Sequence, residues 1–144
     1  MYKKKIKFTD FNGNEREQTF LFNLSKAELT EMNLSKEGGL QQYVERISNA
    51  NDTPALANLF KELILKAYGE KTDDGMAFIK VDPVKGRLAD WFEQTAAYSE
   101  LYMELATNTQ AASEFINGLV PQDIAEQAKI QQNGHAYPDS VARS

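Results

Sequence analysis

Covalent catalysis needs a nucleophile beside a proton acceptor poised near neutral pH. The one histidine of this chain, His135, follows Gly134 in a C-terminal stretch rich in Gly, Pro, Ser and Asn, a poor place to hold a base in register. There is no cysteine, which removes a thiol nucleophile, a zinc-thiolate site and a disulfide framework. No serine sits in G-x-S-x-G, and the glycines never form G-x-G-x-x-G or a phosphate-binding G-x-x-x-x-G-K-[ST] loop. Asp73-Asp74-Gly75 invites a calcium reading. With Gly75 at loop position 6, however, Val81 falls at position 12, where a bidentate glutamate is required. The sequence therefore supports no catalytic, cofactor-binding or metal-binding residue. What it does concentrate is surface chemistry: Trp91, Phe92, Tyr98, Tyr102 and Phe115, together with Glu100 and Glu104, form the candidate partner-binding set. The two glutamates are an i, i+4 pair with no cation between them, a mildly unfavourable arrangement that a basic partner surface would relieve.

These residues lie in LADWFEQTAAYSELYMELATNTQAASEFINGLVP, residues 88–121. Apolar positions recur there at Leu88, Trp91 and Phe92, at Leu101, Tyr102 and Leu105, and at Ala112, Phe115, Ile116 and Leu119. That three-and-four spacing predicts packed helices with one buried face. No lysine or arginine falls between Arg87 and Lys129, whereas Asp90, Glu93, Glu100, Glu104, Glu114, Asp123 and Glu126 do. An acidic surface of this kind repels phosphate backbones and anionic headgroups, which argues against nucleic-acid and membrane partners.

The rest of the chain must carry this segment. Its 144 residues suit one domain with a substantial core, and its net charge of -5 suits a soluble protein. The opening MYKKKIKF alternates basic and apolar residues without the apolar run of a signal peptide, no stretch matches a membrane span, and the absence of cysteine makes the cytoplasm the expected location.

Residues 2–9 and 15–24 alternate around Asn12-Gly13 and predict a β-hairpin. Parity selects its loop: an odd loop puts Tyr2, Ile6, Phe8, Phe20, Phe22 and Leu24 on one face, favouring three residues with Gly13 left-handed in a bulge. Lys3, Lys5 and Lys7 then line the outer face, where lysines discourage edge pairing. Ser25 and Glu28 form a capping box, with Leu24 and Leu29 as its staple, for a short helix ending near Asn33. A second helix starts at Ser35, is loosened by Gly38 and Gly39, and carries Leu40, Tyr43, Val44 and Ile47 as far as about Ala50. Asn51-Asp52-Thr53-Pro54 breaks and restarts the chain, and Leu56, Leu59, Phe60, Leu63, Ile64 and Ala67 mark a central helix up to Tyr68 with Gly69 as its C-terminal cap. Residues 70–86 form a connector, with residues 76–81 as a short strand or anchored loop, followed by a helical hairpin over 87–120 and a weak helix over 122–131. The predicted fold is mainly α with an N-terminal β-hairpin (α+β), a small bundle-like domain over residues 1–131 with a mobile tail at 132–144.

Three blocks, YKKKIKFTDFNGNEREQTFLFNLSKAEL, LKAYGEKTDDGMAFIK and WFEQTAAYSELYMELATNTQAASEFINGLVP, resemble the tail assembly chaperones of long-tailed bacteriophages or of prophages in Gram-positive hosts. The resemblance covers residues from about 2 to 125, and the chain from Lys129 onward has no counterpart in it. It implies a non-enzymatic protein acting in the host cytoplasm. Such a protein binds and solubilises the hydrophobic, helix-rich tape measure protein, assists the tail tube protein in polymerising around it, and leaves before the tail is finished. A second class compatible with the residues is a prophage-encoded structural or regulatory protein, either a minor virion component or an inhibitor of a host protein. A third, a small carboxylate-dependent hydrolase, requires an acidic pair in a pocket with one raised pKa.

Overall fold

The computed structural model describes residues 1–119. The expected helix over 122–131 and tail over 132–144 lie outside them.

Strands β1 (Tyr2–Thr9) and β2 (Glu15–Phe22) pair antiparallel, with Tyr2 opposite Phe22 and Phe8 opposite Arg16. That register places Tyr2, Ile6, Phe8, Phe20 and Phe22 on one face, as the parity of an odd loop requires. The Asp10 amide donates to the Asn14 carbonyl at 2.8 Å and the Gly13 amide to the Asp10 carbonyl at 3.0 Å, leaving a three-residue loop, Phe11-Asn12-Gly13. Gly13 sits at φ +85°, the left-handed position foreseen for it. On the outer face Lys3, Lys5 and Lys7 are exposed.

Helix α1 (Lys26–Ser35) begins with the predicted reciprocal cap: the Glu28 amide donates to Ser25 Oγ at 3.1 Å and the Ser25 amide to Glu28 Oε1 at 2.9 Å. It runs past Asn33, and the next helix, α2 (Gly39–Asn49), starts later than Ser35. The reason is local, since Gly38 and Gly39 both take positive φ and form the corner between the two helices. Asn33 closes that corner, its Oδ1 accepting the Leu40 amide at 3.0 Å. In α3 (Thr53–Ala67), Asp52 caps the Ala55 amide, Pro54 lies in the first turn, and Leu59, Leu63, Ile64 and Ala67 are buried along one face.

One expectation fails after α3. Gly69 is not a helix cap: the chain leaves α3 at Ala67 and becomes strand β3 (Tyr68–Lys71), which pairs with β2 through Leu21 and Phe22. A glycine is needed there for another reason, because a Cβ at this position would meet Phe78 Cε2 at 2.5 Å and the Ile79 carbonyl oxygen at 2.6 Å. The connector holds a short strand within residues 76–81, as expected, and is more ordered around it than its lack of periodicity suggested. It contains β4 (Phe78–Ile79), which extends the sheet in the order β1-β2-β3-β4, and a separate two-stranded ribbon of β5 (Val81–Asp82) and β6 (Gly86–Arg87). Strands this short cannot register as an alternating pattern. Lys80 anchors the segment, donating to Glu28 Oε2 at 2.9 Å and to the Lys66 carbonyl at 2.6 Å, and so ties it to the start of α1 and the end of α3.

The region expected to be a helical hairpin contains three helices, α4 (Leu88–Glu93), α5 (Ala96–Thr107) and α6 (Thr109–Leu119). Thr95 makes the first break, donating to the Phe92 carbonyl at 2.7 Å while accepting the Tyr98 amide at 3.2 Å. Asn108 makes the second, its Oδ1 accepting the Ala111 amide at 3.0 Å. The inner face of the sheet packs on these helices, so the architecture is α+β, mainly helical, with the N-terminal hairpin as its flat wall.

Candidate partner-binding surface

Consecutive residues on a helix point roughly 100° apart, so two adjacent rings on a short helix resting on a sheet face in different directions. In α4 the buried ring is Phe92 and the one left out is Trp91. Phe92, at 0% exposure, stacks on Tyr68 with ring centroids 4.2 Å apart and meets Phe20 at 5.2 Å and Phe22 at 5.8 Å. Trp91 keeps 50% of its surface in water and makes a tilted ring contact with Tyr68 at 6.4 Å. Burial pushes the Tyr68 phenol up to about 12, with help from the charge of Glu70, which keeps this ring neutral.

Beside Trp91 lies a hollow of about 390 Å³ between the tip of the β-hairpin and the α4–α5 corner. Phe8, Phe11, Phe20, Trp91 and Ala96 supply its apolar lining, and Gln18, Gln94 and Thr95 its polar margin. Phe11, at the hairpin tip, is 85% exposed. An ion pair between Arg16 Nε and Asp10 Oδ2 at 2.6 Å closes one side. That contact, first among its causes, holds the Asp10 carboxyl below the ordinary carboxylate range, with the Asn14 amide adding to it. A second hollow, of about 460 Å³, shares Phe8 and Arg16 with the first and is lined by Lys7, Glu15, Glu17 and Glu100.

The predicted residues therefore separate. Trp91 and Glu100 line neighbouring hollows on one side of the molecule. Tyr98 and Tyr102 are half-buried on α5 with ring centroids 6.0 Å apart, and burial, then the charges of Glu93 and Tyr102, raises the Tyr98 pKa. Phe92 and Phe115 are core and have to be withdrawn from any outward-facing set. Phe115, fully buried, meets Tyr2 and Phe22 edge-on at 5.4 Å each. Glu104 is also taken, by Lys4 Nζ at 2.9 Å. The cation that relieves the Glu100/Glu104 pair thus comes from β1 of the same chain, and Glu100 makes no ion pair among the described residues.

Phe8 and Phe20 belong to the face expected of the hairpin, and nothing in the sequence spacing links them, or Phe11 at its tip, to Trp91. Lys4 carried a usable signal, since it occupies an inward position in the register of Tyr2, Ile6 and Phe8, where a lysine needs a partner. Among the described residues, no group of three or more His, Asp or Glu side chains is arranged to hold a metal ion, and no helix is long and apolar enough to cross a membrane. The Asp73-Asp74-Gly75 turn is closed on itself, Asp74 Oδ1 accepting from Thr72 Oγ1 at 2.8 Å and from the Met76 amide at 3.0 Å.

The three sequence blocks meet in this core: Phe22 from the first, Tyr68 from the second, and Phe92 and Phe115 from the third share ring contacts. A family model described as Phage tail assembly chaperone matches residues 1–143. The chain belongs to that family. The match extends the likeness beyond residue 125 and takes in the stretch after Lys129 that had no assigned counterpart. Searches of curated proteins and of solved structures gave no significant match to this chaperone. The large apolar rings left exposed beside the concave face are Trp91 and Phe11.

Proposed function

We propose that this chaperone binds the tape measure protein of its phage, keeps that long hydrophobic chain soluble, and assists the tail tube protein in polymerising around it in the cytoplasm of the host. It does so without covalent chemistry. The observation that carries this reading is membership of the tail assembly chaperone family over residues 1–143. The exposed Trp91 and Phe11 rings, and Glu100, which makes no ion pair among the described residues, support it, because an oily, helix-rich client is held by apolar contact and steered by charge. Such contacts have to be reversible, since the tube displaces the chaperone.

The test is co-expression with the tape measure protein encoded in the same phage or prophage. The chaperone is expected to co-purify with it, to raise its soluble yield, and to be absent from mature particles. If the client stays insoluble and nothing co-purifies, the reading is wrong. Stoichiometric recovery of the chain in virions would point instead to a minor structural component.

A further inference from the structure

On one side of the described residues, exposed rings, a concave shape and unbalanced charge coincide. Four rings line the hollow at the hairpin tip: Phe8, Phe11, Phe20 and Trp91. A helix brings its backbone N–H and C=O groups already paired, so it can lay an apolar face on these rings without main-chain partners from the hollow. The neighbouring hollow carries the charge. Glu17 leans towards Lys7 at 3.8 Å and Asp10 holds Arg16, while Glu15 and Glu100 make no ion pair among the described residues. Glu100 follows Ala96, which lines the apolar hollow, by four residues, or about 6 Å along the helix axis.

We propose that these two hollows form one seat for a single amphipathic helix of the client. A large apolar side chain enters against Trp91 and Phe11, and a lysine or arginine about one turn away lies against Glu100 and Glu15. This assignment rests on the client-binding reading above and adds to it the surface, the conformation and the charge of the segment that is bound. The seat selects against acidic helices, because a carboxylate one turn from the anchor would face two unpaired carboxylates.

Trp91 is the only tryptophan, so its emission reports occupancy of the hollow directly. The probe is a helical peptide of about 18 residues, five turns, with leucine and phenylalanine on one face and lysines along its border. A second peptide replaces each lysine by glutamate. The basic peptide is expected to shift the emission to the blue saturably and the acidic one to leave it unchanged. Phe11→Ser and Glu100→Lys, both at exposed positions, are each expected to weaken binding at least about tenfold, the scale of a hot-spot loss. Leu34→Ser and Val84→Ser, exposed apolar positions elsewhere, should leave it as it was. Emission that ignores the basic peptide, equal binding of both peptides, or indifference to Phe11→Ser and Glu100→Lys overturns the proposal. A blue shift that grows with protein concentration alone, with a dimer in sedimentation, assigns the seat to a second copy and overturns it too. In co-expression, Phe11→Ser and Glu100→Lys should lose the tape measure protein that the unaltered chain retains. If the unaltered chain itself fails there, the tape-measure reading falls while the peptide titration still decides the seat.

Discussion

Trp91 and Phe92 are neighbours on one short helix, and truncating each to alanine distinguishes a surface ring from a core ring. Phe92 is fully buried and meets Phe20, Phe22, Tyr68 and Tyr98 at 5.2, 5.8, 4.2 and 5.9 Å. Truncating a buried phenylalanine costs about 3–5 kcal/mol through lost transfer energy and the cavity left behind. The ring contacts put Phe92→Ala at the upper end of that range, since such pairs contribute beyond their buried area. Half of the Trp91 surface is already in water, and removing it opens no enclosed cavity, so Trp91→Ala is expected to cost about 1–2 kcal/mol. Urea unfolding followed by far-UV circular dichroism measures both, because that signal does not depend on tryptophan, and an unchanged m-value licenses the comparison. A domain of this kind is stable by about 5–15 kcal/mol in total, so Phe92→Ala should remove a third or more of it while Trp91→Ala stays folded and loses its client. Equal costs for the two substitutions would falsify the division of α4 into a buried and a presented face.

Two further outcomes follow from the contacts around β3 and α1. Gly69→Ala forces a methyl into Phe78 and the Ile79 carbonyl, so a loss of about 1–3 kcal/mol is expected by thermal unfolding, with amide exchange speeding up across β3 and β4; an unaltered melting temperature would contradict the close approach. Burial acts to raise the Glu28 carboxyl, but the Ser25 amide and Lys80 together outweigh it and hold it below its ordinary value of 4.5. The folded state therefore binds that proton less readily than the unfolded state. The stabilisation is complete above the ordinary value and is lost as pH falls through the lowered one. Unfolding free energies measured from neutral pH downward should fall across that window, and Glu28→Gln should flatten the fall while costing roughly 1–3 kcal/mol at neutral pH. An identical acid profile for both proteins would remove Glu28 from the account.

Local rules were legible and long-range pairings were not. Alternation plus one glycine was enough for the hairpin, its face and its loop, because a register slip would have exposed Phe20 and Phe22 together. The capping box at Ser25 and Glu28 needed only a spacing of three. Gly69 was misread because a glycine after an apolar helix stripe fits a C-cap as well as a close approach of two strands, and only Phe78, nine residues on, decides between them. The same limit governs the candidate site. Periodicity marks Trp91 and Phe92 alike as apolar, and the sheet above α4 decides which one turns inward. The apparent debt of charge at Glu100 and Glu104 looked like an invitation to a basic partner, yet half of it was settled by Lys4, 100 residues away in sequence and on the inner side of β1. With Glu104 satisfied inside the fold, the attraction left for a partner narrows to Glu100 and the carboxylates of the hairpin end. The folded hairpin thus does more than support the helices: it consumes one of their charges and adds Phe11 to their exposed tryptophan, and the proposed seat belongs to neither element alone.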